Sequence, residues 1–129
     1  DFVTALKNTH KSLKGGGIFR LVMPNLENLI NSYLKNKTNG DKQAAIRFIR
    51  NTGMGLENRQ TGVRNFLESA MGNSRHQWLW DVDSTISELE KVGFIDIREC
   101  AFDDSEDEMF KLVEDKDRFE GSLSLEMRK

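Results

Sequence analysis

The chain has 129 residues, the length of one ordinary domain. Hydrophobic residues make up 37% and charged residues 31%. No run of about 18 apolar residues is present, which excludes a transmembrane helix, and the single cysteine, Cys100, excludes an internal disulfide or a cysteine-cluster zinc site. The net charge of -2 conceals a division: residues 1–80 carry 12 Lys+Arg against 5 Asp+Glu, and residues 81–129 carry 7 against 16.

Val3, Leu6, Thr9, His10 and Leu13 recur at helical spacing. Gly15, Gly16 and Gly17 end that helix, because glycine accepts the left-handed backbone of a helix terminus. Residues 18–23 are short, almost wholly apolar and bounded by glycine and Pro24, the pattern of a strand buried on both faces. Asn25 is placed to cap a helix with Leu26, Leu29, Ile30, Tyr33 and Leu34 on one stripe. Asp41 is the expected cap of a second helix, with Ala45, Ile46, Phe48 and Ile49 apolar, and Thr61 of a third, with Val63, Phe66, Leu67, Ala70 and Met71.

An aromatic-rich connector over 75–80 follows. Asp81 or Asp83 caps a fourth helix that turns Val82, Ile86, Leu89 and Val92 inward and ends at Gly93. Residues 94–102 read as a strand whose alternation slips near Glu99, as at a bulge. Residues 103–120 hold 9 acids and 3 bases, with Met109, Phe110, Leu112 and Val113 on a helical stripe and Glu114 four residues from Arg118, spaced for an ion pair. Residues 122–128 alternate cleanly, as a strand with one wet face. Strands alternating with helices define an α/β layer fold.

The segment Leu13-Lys14-Gly15-Gly16-Gly17, continuing through Ile18-Phe19-Arg20-Leu21-Val22-Met23 to Pro24-Asn25, resembles the fifth strand of class I S-adenosylmethionine-dependent methyltransferases and the helix end before it. There a Leu-Lys-Pro-Gly-Gly turn leads into a strand ending in Pro-Asp or Pro-Asn. The run from Arg75-His76 to Trp80-Asp81 is similar to that family's His and aromatic-Asp segment. Leu89-Glu90-Lys91-Val92-Gly93-Phe94 is similar to its Leu-x-x-Ala-Gly-Phe helix end. Leu112-Val113-Glu114, Arg118 and Ser122-Leu123-Ser124-Leu125-Glu126 resemble its closing segment. The turn departs from the family at Gly15, where proline is usual.

The resemblance implies a partial Rossmann-like sheet of three strands in the order 18–23, 122–128, 94–102. The last strand is antiparallel, and a helical, substrate-side insertion spans 26–80 within a single domain over 1–129. It implies a truncated, cytoplasmic transferase, the C-terminal portion of a small-molecule methyltransferase, inactive alone. S-adenosylmethionine is the cofactor of the full-length family. Its glycine-rich loop and acidic residue would lie before Asp1, so no cofactor-binding residue is expected here. Gly15–Gly17 precedes a strand, whereas a nucleotide-cradling loop follows one and opens a helix.

In that family His76 would lie near the substrate, as a base or a hydrogen-bond donor. Ordering its own loop is the commoner role for such a histidine. Trp78 and Trp80 are candidates for a substrate wall, with core packing the more frequent use of such aromatics. Asn25 stands where a strand end meets the ligand side of an open α/β sheet, and its capping duty alone explains it. Tyr33 offers a hydroxyl from an otherwise apolar stripe. His10 reads as structural, and two distant histidines without carboxylates at ligand spacing give no metal site. Arg20 interrupts an apolar strand and must meet a carboxylate or a covering neighbour.

Two other functions stand beside the enzyme reading. One is a free-standing dimerisation or interaction module. The other is nucleic-acid binding through basic residues of 1–80, requiring a contiguous face of Arg47, Arg50, Arg59 and Arg64, although the bases are scattered singly. In the family it resembles, a fourth strand pairs along the outer edge of strand 18–23, and no segment here takes that place, so a homodimer through it is expected.

Overall fold

A computed structural model of the chain describes residues 2–54 and 78–129. The expected third helix, Arg59, Arg64 and His76 lie outside them. The chain divides into two compact units, residues 1–28 with 80–129, and residues 29–79. The described residues form a mixed α/β structure of four α-helices and one three-stranded sheet. No described helix is long and apolar enough to cross a membrane.

The first unit holds the sheet. Strand β1 (Ile18–Pro24) and strand β2 (Ile95–Glu99) flank β3 (Ser122–Arg128), which runs antiparallel to both. The expected strand order is the observed one. Phe19, Leu21 and Met23 lie opposite Met127, Leu125 and Leu123, so six apolar side chains share one sheet face. Helix α1 (Phe2–Ser12) and the fourth helix, α4 (Val82–Val92), pack on one another. Leu6 and Leu89 join Phe94, Leu123, Leu125 and Met127 in the core.

Local chemistry fixes these elements. Asp81 accepts from the Ser84 amide at 2.8 Å, and the Ser84 hydroxyl reaches back to the Asp81 amide, a reciprocal cap that starts α4. Gly93 ends α4 at φ 107°, which lets the Phe94 amide bond Leu89 and turns its ring into the core. The glycines after α1 form a turn in which the Gly16 amide donates to Lys129, and Lys129 donates back to Gly17.

Four expectations are corrected here. The slip in β2 lies between Ile95 and Arg98 rather than near Glu99. One extra residue is accommodated there, with Asp96 at φ 51°. Residues 103–120 form no α-helix. They hold two short 3-10 turns, Glu108–Leu112 and Lys116–Arg118, and Met109, Leu112 and Val113 stand exposed. Glu114 pairs with Arg20, not with Arg118. The polar face of β3 is not wet at its centre, since Ser124 and Glu126 are buried as well as Leu123 and Leu125. Alternation tracks polarity, and a polar face can be covered by polar partners as well as by water.

In the second unit, α2 (Leu26–Thr38), which begins in the first, ends in a turn at Asn39 and Gly40 and is followed by α3 (Ala44–Thr52). Asp41 accepts from the Gln43 amide and pairs with Arg47 ahead of α3, whose N-cap position is taken by Gln43. The buried face of α3 is Ala44 and Thr52 with Phe48 between them, one residue every turn. Ile46 and Ile49, apolar as they are, stand about half exposed, at 53% and 49%.

Candidate functional site

The sequence nominates five residues around the end of β1. The structure joins two of them. Asn25 follows Pro24, and its side-chain oxygen accepts from the Glu27 amide at 2.9 Å, capping α2. Its backbone forms a parallel bridge with Trp80, and the Leu26 amide donates to the Trp80 carbonyl at 3.0 Å. The Trp80 ring lies 4.8 Å from that of Phe2, half-buried. Tyr33 and Trp78 belong to the second unit. Tyr33 packs its ring 5.5 Å from Phe48 beneath the Lys37 ammonium, and Trp78 is 69% exposed. His10 is structural, as expected: its Nε2 lies 3.2 Å from the Gly93 carbonyl, with its ring edge-on to Phe94.

A second cluster lies on the other face of the sheet, and the sequence pointed only to its centre. Arg20 projects from β1 opposite Glu126 of β3, and Arg98 of β2 stands opposite the same glutamate. The Arg20 side chain is 3% exposed. Its guanidinium donates to Glu114 at 2.5 Å, Glu126 at 2.6 Å, Asp104 at 2.9 Å and the Ala101 carbonyl at 2.7 Å. The rings of Phe110 and Phe119 lie 5.6 and 5.7 Å from its carbon. Arg98 donates to Glu126 at 2.8 Å and to Asp104 at 3.0 Å.

Two guanidiniums therefore share three carboxylates, with Arg20, Glu114 and Glu126 enclosed and Arg98 and Asp104 open to solvent. Burial works against the charge of Arg20, and the hydrogen bonds to Glu126, Asp104 and Glu114 overcome it, so its pKa rises. Burial likewise opposes ionisation of Asp104, but Arg98, the Ala101 amide and Arg20 bring its pKa from 3.8 down to about 2. Glu126 is lowered against burial by Ser105, Arg20 and Arg98. Cys100, beside them and half-buried, is pushed up to about 11, chiefly by burial, so its thiol stays protonated at neutral pH.

A strand arginine and an acid-rich segment were both visible in sequence. Arg20, Arg98 and Glu126 each stand out by interrupting or alternating with apolar strand positions, which is the signal that would have grouped them. Among the described residues no set of three or more His, Cys, Asp or Glu is arranged to hold a metal ion. Arg47, one of the four arginines a nucleic-acid face requires, is committed to Asp41. The chain matches no protein-family model, no characterised protein and no solved structure.

Proposed function

We propose that this chain is the substrate-side, C-terminal portion of a class I S-adenosylmethionine-dependent methyltransferase. The observation that supports it is the strand order β1–β3–β2 with the last strand antiparallel in the middle. The resemblance implies that arrangement, and two strands joined through helices do not require a late strand to enter between them. The Asn25–Trp80 bridge adds to it, since both residues are substrate-side candidates and they meet beyond the end of β1. His76 is the candidate base or donor, with Tyr33 and Trp78 as further candidates for acceptor binding.

The described residues do not fit the cofactor. Gly15–Gly17 turns into a strand, and the passage from β1 to α2 is Pro24-Asn25, without glycine and with the Asn25 side chain engaged as a cap. No step of methyl transfer is therefore derived from them. Titration calorimetry of the 129-residue chain with S-adenosylmethionine is expected to show no binding, and micromolar affinity overturns the placement. The DNA directly upstream of the Asp1 codon is expected to encode a strand followed by a Gly-x-Gly loop. A start codon in that place overturns the reading in favour of a free-standing module.

The chain alone is further proposed to dimerise through β1. Among the described residues this strand is an edge of the sheet, approached at its far end by the Asn25–Trp80 bridge. Unpaired N–H and C=O groups along an apolar strand are a template for a second copy. Sedimentation at micromolar concentration is expected to give a dimer, and a stable, non-aggregating monomer refutes it.

A further inference from the structure

Residues 101–121 leave β2, cross the polar face of the sheet and return to β3 with only two short 3-10 turns of regular structure. Met109, Leu112 and Val113 are 64%, 76% and 78% exposed, so the apolar hold of the segment rests on three partly buried rings, Phe102, Phe110 and Phe119. Its polar attachment centres on one side chain. Of the five groups around Arg20 contributed by this segment, Ala101, Asp104 and Glu114 accept its hydrogen bonds, and Phe110 and Phe119 flank it. Secondary ties run from Asp104 to Arg98 and from Glu106 to Arg128. Near its two ends the segment has left-handed backbone, at Asp103 with φ 62° and at Gly121 with φ 70°, where the missing Cβ would meet no atom within 4 Å.

The sheet does not depend on this segment for its pairing. β1 and β2 both bond β3 directly, and Leu123, Leu125 and Met127 are packed from the opposite face. We propose that residues 101–121 are a strap that opens and closes as one unit over an intact sheet, with the Arg20 guanidinium as its latch. Opening strands no charge in a dry interior. Arg20 and Arg98 keep Glu126 on the sheet, while Asp104 and Glu114 pass into water. The face uncovered includes Ser124, whose buried hydroxyl has no hydrogen-bond partner among the described residues, and it borders Cys100. Cooperative local opening of this kind is expected where a segment buries little apolar surface and is held by a few polar contacts.

The single cysteine makes the motion measurable. Amide exchange followed by mass spectrometry, with Cys100 labelling by a neutral disulfide reagent in parallel, is carried out on the full chain and on Arg20→Lys. Lysine keeps the charge but not the planar fork that reaches several acceptors at once. The variant is expected to raise exchange across 101–121, and Cys100 labelling, by about tenfold or more, while amides of β3 and α4 change less than about twofold. Equal acceleration in all elements, or none in the strap, overturns the proposal. Should Arg20→Lys fail to fold, Glu114→Gln alters the strap's side of the latch and leaves the Arg20–Glu126 pair in place. The same selective acceleration is expected of it, and a uniform or absent change is equally fatal.

Discussion

Asp104 shows how one carboxylate can make stability depend on pH in a definite direction. Arg20 from β1 and Arg98 from β2 face it, Glu126 from β3 shares both guanidiniums, and Glu114 shares that of Arg20. Its folded pKa of about 2 lies below its ordinary 3.8, so ionised Asp104 favours the folded state. That contribution is complete above the ordinary value and disappears as pH falls from 3.8 toward 2. Glu126, also lowered, acts in the same direction. Thermal melts between pH 6 and pH 2 should show the wild-type Tm falling more steeply below about pH 4 than that of Asp104→Asn. Parallel curves would refute the assignment. The requirement that Arg20 find a carboxylate was legible because burying an unpaired charge is costly. Which carboxylates it finds was not, since Asp104, Glu114 and Glu126 are 84, 94 and 106 residues away and only the folded topology brings them together.

At the scale of elements, the signals that bound α4 were legible, while the cap of α3 and the stripe over 109–113 were not. Asp81 and Gly93 bound α4 as expected, because a cap needs a particular side chain and a left-handed terminus needs glycine. Asp81→Ala should cost about 1 kcal/mol, read as a lower urea midpoint at unchanged slope, with Asp81→Asn recovering most of it. An alanine variant as stable as wild type would show that the reciprocal cap contributes nothing. The stripe over 109–113 misled because four apolar residues among nine acids satisfy a helical template without any face to bury. In α3 the apolar residues do not mark the buried face: Ala44 and Thr52 are enclosed, and Ile46 and Ile49 stand half exposed.

For the molecule as a whole, the sheet-bearing unit rests on a compact apolar layer. Leu125 in the central strand has no exposed surface and faces Leu21 across the ladder. Leu125→Ala should destabilise that unit by about 2–5 kcal/mol, through lost transfer energy and the cavity left behind. Urea unfolding followed by far-UV circular dichroism measures it, and a loss below about 1 kcal/mol would mean that the layer is not tightly packed there. The mixed α/β character was legible from the alternation of element types, and the strand order from the resemblance. The division into two units was not, because the helices over 26–52 carry apolar stripes of the same kind as α1 and α4 and nothing in their sequence says which neighbours they choose.

The position of β3 carries a consequence for biosynthesis. It is late in the chain yet central in the sheet, and β1 reaches its partner residue Glu126 from Arg20 across 106 residues. β1 and β2 have no ladder with each other, so both leave the ribosome as unsatisfied strands and wait for 122–128 before either can pair. Such non-local closure is slow, and the waiting strands are exposed to aggregation. A polypeptide cut short before Ser122 lacks the strand that joins the other two, so nascent chains that stop early are expected to be taken up by chaperones and proteases rather than to accumulate as folded fragments.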